Sequence, residues 1–164
     1  MKAIIAYYSY TGHAEKVAEA LSAALGKKGA VTVERLKPVE EITTFIGQCK
    51  AAFARRRSEL RPGVTFDLSP YDLIVIGCPV WAFAPVPAVN DWLDKVNGLS
   101  GKTAIVFLTS GSGAGVGKCF RDIRTVLESK GIARISEVNI PDRNSQNDEF
   151  IAVSIGKAIA EAGL

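Results

Sequence analysis

Three stretches of this chain are almost wholly apolar, and they constrain the fold more than any other feature. Ala3 to Tyr8, Leu73 to Gly77 and Thr103 to Leu108 run without the polar alternation of a strand that has one wet face. A continuous run of this kind belongs to a strand covered on both faces, as in a parallel sheet between two layers of helices. Residues between the runs fit such layers. A helix is expected from about His13 to Leu25, with Val17, Leu21, Ala24 and Leu25 at helical spacing and Gly26 and Gly29 ending it. Val31 to Leu36 alternates like a strand and stops before Pro38. A second helix is expected from about Val39 to Arg56, with Ile42, Phe45, Ile46, Cys49 and Phe53 on one face.

Val89, Trp92, Leu93 and Val96 mark a third helix closed by Gly98, and a fourth spans about Val116 to Lys130. Ile132 to Ile140 reads as a weaker strand at a sheet edge. Ser145 with Asp148 has the spacing of a capping box opening the last helix, which carries Phe150, Ile151, Val153, Ile155 and Ile159. Five strands alternating with five helices imply an α/β fold with a doubly wound, five-stranded parallel sheet in three α/β/α layers. No linker or repeat divides the 164 residues, so residues 1–164 are expected to form one domain.

Charge and composition exclude several functions. A formal net charge of +3 is too small to imply nucleic-acid binding. The apolar run after Lys2 is too short for a signal peptide or a membrane span, so a cytoplasmic location without membrane insertion is expected. Cys49, Cys78 and Cys119 are far apart, and His13 is the sole histidine, which argues against a metal centre and for free thiols. The run Arg55-Arg56-Arg57, with Lys50 and Arg61, reads as a solvated helix end or as a dock for an acidic partner.

In a doubly wound sheet, ligands sit beyond the carboxyl ends of the strands where the strand order reverses. The loops after the first, third and fourth strands all fall at that edge. The first, Ser9-Tyr10-Thr11-Gly12-His13-Ala14, passes from a strand straight into a helix. Its loop and helix-start amides lack partners of their own and lie at the positive end of the helix dipole, an anion site. Ser9 and Thr11 add hydroxyls, Gly12 lets backbone come close, and Ala14 and His13 supply amides. The second loop, Gly77 to Pro87, carries Trp81 and Phe83 between prolines, and an exposed Trp there suits a planar ring. Trp92, at helical spacing, reads as core. The third loop, Thr109 to Gly115, is rich in glycines that let amides approach a ligand.

Rival motifs fail on spacing. Gly111 and Gly117 are one residue too far apart for a Walker loop ending at Lys118, and Cys119 replaces its Ser or Thr. No dinucleotide G-x-G-x-x-G register fits from Gly111 or Gly113, the acidic cluster of a receiver domain is missing, and no Ser–His–acid arrangement is suggested.

The first loop resembles the S/T-x-T-G-x-T phosphate loop of the flavodoxin family, with Ala14 in place of the last hydroxyl. Gly77-Cys78-Pro79-Val80-Trp81 followed by spaced prolines and a helix also resembles that family. The resemblance covers nearly the whole chain in its short form. It implies sheet order 2-1-3-4-5 and FMN as cofactor. The phosphate would be held by Ser9, Thr11, Gly12, His13 and Ala14, with Tyr10 beside it. The flavin ring would lie between Pro79, Val80, Trp81, Ala82 and Phe83 on one side and Ser110, Gly111, Ser112, Gly113 and Gly115 on the other. No side chain need act as acid or nucleophile, so no catalytic residue is expected. An electron carrier for redox partner proteins is the expected function. An FMN-dependent NAD(P)H:quinone reductase and a cofactor-free binding scaffold are the alternatives. Flavodoxins are typically acidic, so the slightly basic charge here implies a different partner or a less negative potential.

Overall fold

The computed structural model describes residues 1–164, the side chain of Phe45 excepted. Five parallel strands, β1 (Lys2–Tyr7), β2 (Ala30–Arg35), β3 (Leu73–Pro79), β4 (Thr103–Ser110) and β5 (Arg134–Pro141), stand in the order β2-β1-β3-β4-β5. The helices are α1 (His13–Gly26), α2 (Phe45–Phe53), α3 (Pro87–Lys95), α4 (Val116–Ser129) and α5 (Asp148–Glu161). The expected doubly wound sheet and its order are therefore found, with β5 at one edge and β2 at the other.

The continuous apolar runs feed two cores at once. Ile4, Ala6, Ile74, Ile76, Val106 and Leu108 join the core shared with Val89, Trp92 and Leu93 of α3 and Cys119, Ile123 and Leu127 of α4. Their neighbours Ala3, Ile5, Leu73, Val75, Ile105 and Phe107 join the other, with Val17, Leu21 and Leu25 of α1 and Ile151, Ile155 and Ile159 of α5. Successive strand residues point to opposite faces, so a run with no polar residue fills both layers. Trp92 is fully buried, as expected, and its indole N–H donates to the Thr65 carbonyl at 3.0 Å.

The second helix departs from expectation. It begins at Phe45, not Val39, because Thr44 caps it: the Thr44 hydroxyl accepts the Gly47 amide at 3.2 Å. The chain before it bridges Pro38 to Leu60, with Val39 N–H on the Glu59 carbonyl and Arg61 N–H on the Lys37 carbonyl, and bends at Val39 and Glu40. The helix stops before Arg55, whose φ is 49°. Of the apolar face expected there, Ile46 and Phe53 are exposed, and the Phe45 side chain lies outside the described residues.

The start of the last helix is a second correction. Asn147 is its cap, accepting the Phe150 amide at 3.0 Å, and Ser145 is turned into the interior. β3 and β4 also each run two residues further than expected, and Val80 N–H still reaches the Thr109 carbonyl at 2.9 Å. That extension carries Pro79 and Ser110 to the carboxyl edge of the sheet, on either side of the binding region.

Candidate functional site

The first loop crosses from β1 to α1 above the point where the strand order reverses. Gly12 caps α1 at φ 91°, a left-handed conformation in which a side chain would be strained although space is free around it. The Ser9 hydroxyl oxygen accepts the Gly12 amide at 3.2 Å and the Glu15 amide at 3.3 Å, which folds the loop back on itself. Among the described residues, the amides of Tyr10, Thr11, His13 and Ala14 have no acceptor. Four free donors at the positive end of a 14-residue helix form a cradle suited to a phosphate. Arg35, at the end of β2, braces the cradle by donating to the Ser9 carbonyl at 2.9 Å and to Glu15 at 2.9 and 3.1 Å.

Beside the cradle opens a cleft of about 580 Å³. Trp81 forms part of its wall, with Tyr8 and Tyr10 edge-on to it at ring distances of 5.5 and 6.2 Å. The backbone that presents Trp81 is a two-residue turn. Trp81 and Ala84 exchange both amide bonds, at 3.1 and 3.0 Å, and Ala82 and Phe83 between them have φ of 45° and 67°. Two left-handed residues in succession define a type I′ turn, which Ala and Phe adopt only under strain of about 1–2 kcal/mol each. Gly115, which caps α4 at φ 81°, lies against this turn, and a Cβ on it would come within 2.6 Å of the Phe83 Cα. The second and third loops are thus in contact, and that contact requires a glycine.

The third loop supplies the other wall. The Ser110 hydroxyl donates to Asn139 of β5 at 3.0 Å, and the Ala114 amide donates to the Ser112 hydroxyl at 3.3 Å. A further wall was not foreseen. Thr43, Gln48 and Cys49 also line the cleft. They are held there by the Tyr10 hydroxyl on the Thr43 carbonyl at 3.2 Å and by Gln48 on the Ile42 carbonyl at 2.8 Å. Tyr8 donates its phenol proton to Glu41 in the same segment. Burial first, and then that hydrogen bond and the Glu41 charge, hold the phenol well above the usual tyrosine range.

Of the residues expected at the site, Tyr10, Thr11, Pro79, Val80, Trp81, Ala82, Phe83, Ser110, Gly111 and Ser112 line the one cleft. Gly12, His13 and Ala14 lie in the cradle and do not line the cleft, and Ala14 packs its methyl into the core. Gly113 and Gly115 shape the turn into α4 without lining it. Ser9 faces a separate small recess beside Arg35, Lys37 and Arg61. Besides the Thr43–Cys49 wall, the cleft also holds Asp142, which belongs to the turn after β5.

The His13 ring does more than its amide. Its Nδ1 lies 2.7 Å from the Ser145 hydroxyl and 3.6 Å from Asp142 Oδ1. The Ser145 hydroxyl reaches the Asp142 carbonyl at 2.7 Å, and its role toward His13 follows the tautomer of the ring. Of the free thiols, Cys78 and Cys119 are buried and Cys49 is half-buried. The neighbouring Cys78 and burial together push the Cys119 thiol far up. Among the described residues, no group of three or more His, Cys, Asp or Glu could hold a metal, and no helix is long and apolar enough to cross a membrane.

An anion cradle at the switch point, an aromatic wall and a glycine edge define a nucleotide-binding α/β protein. The flavodoxin family model matches residues 2–134, and the chain belongs to that family, which carries FMN as its cofactor. It is 32% identical over 117 residues to NAD(P)H dehydrogenase (quinone) 3 of Rhizobium meliloti (strain 1021). The match takes in 68% of this chain and 54% of that protein, so the chain spans about half the length of that curated relative. Among solved structures, a flavoprotein in complex with FMN from Lactobacillus acidophilus superposes with a TM-score of 0.69 at 20% identity, over 90% of this chain and 97% of that one. Oxidised flavodoxin 1 from Bacillus cereus gives 0.64 at 19% identity, over 99% and 97%. At these identities the likeness shows the fold.

Proposed function

We propose that this flavodoxin-family protein binds FMN in the cleft and passes electrons between redox partners. One observation carries the reading. The free amides of Tyr10, Thr11, His13 and Ala14 adjoin an aromatic-walled cleft of about 580 Å³ at the switch point of the sheet. The cradle suits the phosphate. The cleft between Trp81 and the Ser110–Ala114 backbone suits a flat, amphipathic ring. FMN, when bound, supplies the electron chemistry, while this chain holds it, shields it and sets its electrostatic surroundings. Protein mixed with FMN and stripped of excess should be yellow and should quench or shift flavin fluorescence on titration. Colourless protein with no titration response would leave a cofactor-free scaffold.

A second reading has its own support. The Ser110–Ala114 wall carries no aromatic side chain, so nothing bulky closes that side of the cleft. A second flat substrate such as a nicotinamide or a quinone could stack there, and the curated relative is named as an NAD(P)H quinone dehydrogenase. Steady-state assays of FMN-loaded protein with NADH or NADPH and a quinone separate the two. Sustained turnover favours the reductase, and its absence with rapid electron exchange to a protein acceptor favours the carrier.

A further inference from the structure

The segment 37–61, which joins β2 to β3 and contains α2, holds six basic and three acidic residues. It therefore accounts for the whole formal charge of +3, and the rest of the chain is neutral. Its basic residues are not equivalent. Arg55 is paired with Asp122 of α4 at 3.0 Å and Arg57 with Asp94 of α3 at 2.5 Å, which ties the end of α2 to two neighbouring helices. Arg61 donates to the Pro38 carbonyl. Lys50 and Arg56 are exposed and make no ion pair among the described residues, with Glu40 and Glu59 near Arg56.

The same helix turns Ile46 and Phe53 outward. Ile46, Lys50 and Phe53 fall at i, i+4 and i+7 on one stripe, and Ile46 is 67% and Phe53 79% exposed. Inward it presents Gln48, Ala51 and Ala52, all buried. Exposed large apolar side chains flanked by charge mark an interaction surface. Cys49, which lines the cleft with Gln48, lies one turn from both Ile46 and Phe53, so the stripe borders the cleft wall.

The geometry points to the Ile46–Lys50–Phe53 stripe with Arg56 as the docking surface for an acidic redox protein. Phe53 and Ile46 would give the apolar contact, and Lys50 and Arg56 would steer and orient the partner so that its redox centre meets the cleft. The inference rests on the flavin reading for its purpose, but the surface belongs to the chain with or without flavin. A nine-residue helix that among its described residues exposes two large apolar side chains is small for an amphipathic membrane anchor, which favours a protein partner over a lipid surface.

The probe is an acidic [2Fe–2S] ferredoxin, with basic cytochrome c as the control. Calorimetric titration of the full chain should give saturable ferredoxin binding at about 20 mM salt, weakened roughly tenfold or more at about 200 mM as screening sets in. Lys50→Glu with Arg56→Glu should weaken low-salt binding at least tenfold. Phe53→Ser should weaken it at both salt concentrations. Circular dichroism and flavin uptake, checked on each variant, should stay at wild-type values. Ferredoxin binding no tighter than cytochrome c, or unchanged by the charge reversal, overturns the inference. So does binding to anionic phospholipid vesicles in place of ferredoxin. Ferredoxin binding in a chain that takes up no FMN would instead overturn the flavin reading and leave the surface standing.

Discussion

Ser145 Oγ lies 2.7 Å from His13 Nδ1, joining the cradle of the first loop to the turn after β5 across 132 positions of sequence. The serine is fully buried and its hydroxyl reaches the Asp142 carbonyl. Ser145→Ala removes both hydroxyl bonds, while the Asp142 carbonyl keeps the backbone amide of residue 145 at 3.1 Å, so the protein should lose about 1 kcal/mol of stability in urea. A serine-directed fluorophosphonate should not label the native protein, because the hydroxyl is enclosed.

The contact between the second and third loops ranks two glycines. Gly115→Ala meets both a left-handed φ of 81° and the Phe83 backbone, while Gly12→Ala meets a φ of 91° with no neighbour within 4 Å. Gly12→Ala should cost about 1 kcal/mol, the backbone term alone. Gly115→Ala should cost roughly 2–3 kcal/mol, because the turn at Phe83 must also move. Equal losses in thermal or urea denaturation would contradict the packing of these loops.

Ala82 occupies the first left-handed place of the type I′ turn, where Asn is the favoured residue. Ala82→Asn should raise stability by about 0.5–1 kcal/mol, since Asn tolerates this backbone and Ala does not. Strain kept at a ligand-facing turn is commonly tied to function. The same variant should therefore be assayed for FMN affinity by fluorescence titration, with unchanged or weaker binding expected and tighter binding speaking against a functional role for the strain.

Much of the architecture could be read before any coordinates, and the reason is physical. β1, β3 and β4 are buried on both faces, so their apolar runs carry no competing signal. The α2 region misled because Val39 and Ile42 stand at helical spacing while the cap is at Thr44, and because Ile46 and Phe53 face out. The cleft loops were legible from their turn chemistry. The Thr43–Cys49 wall was not, because Tyr8 and Tyr10 hold it in place through contacts 33 residues away in sequence. The Arg35 brace and the His13–Ser145 bond depend on register and on the path of the last turn, which spacing alone does not encode.

Trp81 bears on both the cofactor and the loop. If the ring of FMN stacks on it, Trp81→Ala should weaken FMN binding by about 1–2 kcal/mol, roughly tenfold, and Trp81→Phe should recover part of that. Tyr8 and Tyr10 also lose their edge contacts in the alanine variant, so stability must be measured beside affinity. Unaltered FMN affinity in Trp81→Ala would place the ring elsewhere in the cleft.

Tyr8 makes a prediction whose sign is fixed by linkage. Burial and the Glu41 carboxylate hold its phenol far above the ordinary range, so the folded state keeps a proton that the unfolded chain releases near pH 10. A group whose folded pKa is raised contributes stability that is fully present below the unfolded pKa and is lost as pH rises beyond it. Tyr8→Phe should therefore cost about 1–2 kcal/mol at pH 7, from the lost hydrogen bond to a charged acceptor. The gap between wild type and variant should hold steady up to about pH 9 and narrow from about pH 10 upward. Thermal denaturation of both proteins across that range tests it, and a gap that widened with alkali would show that the phenol is not held protonated by Glu41.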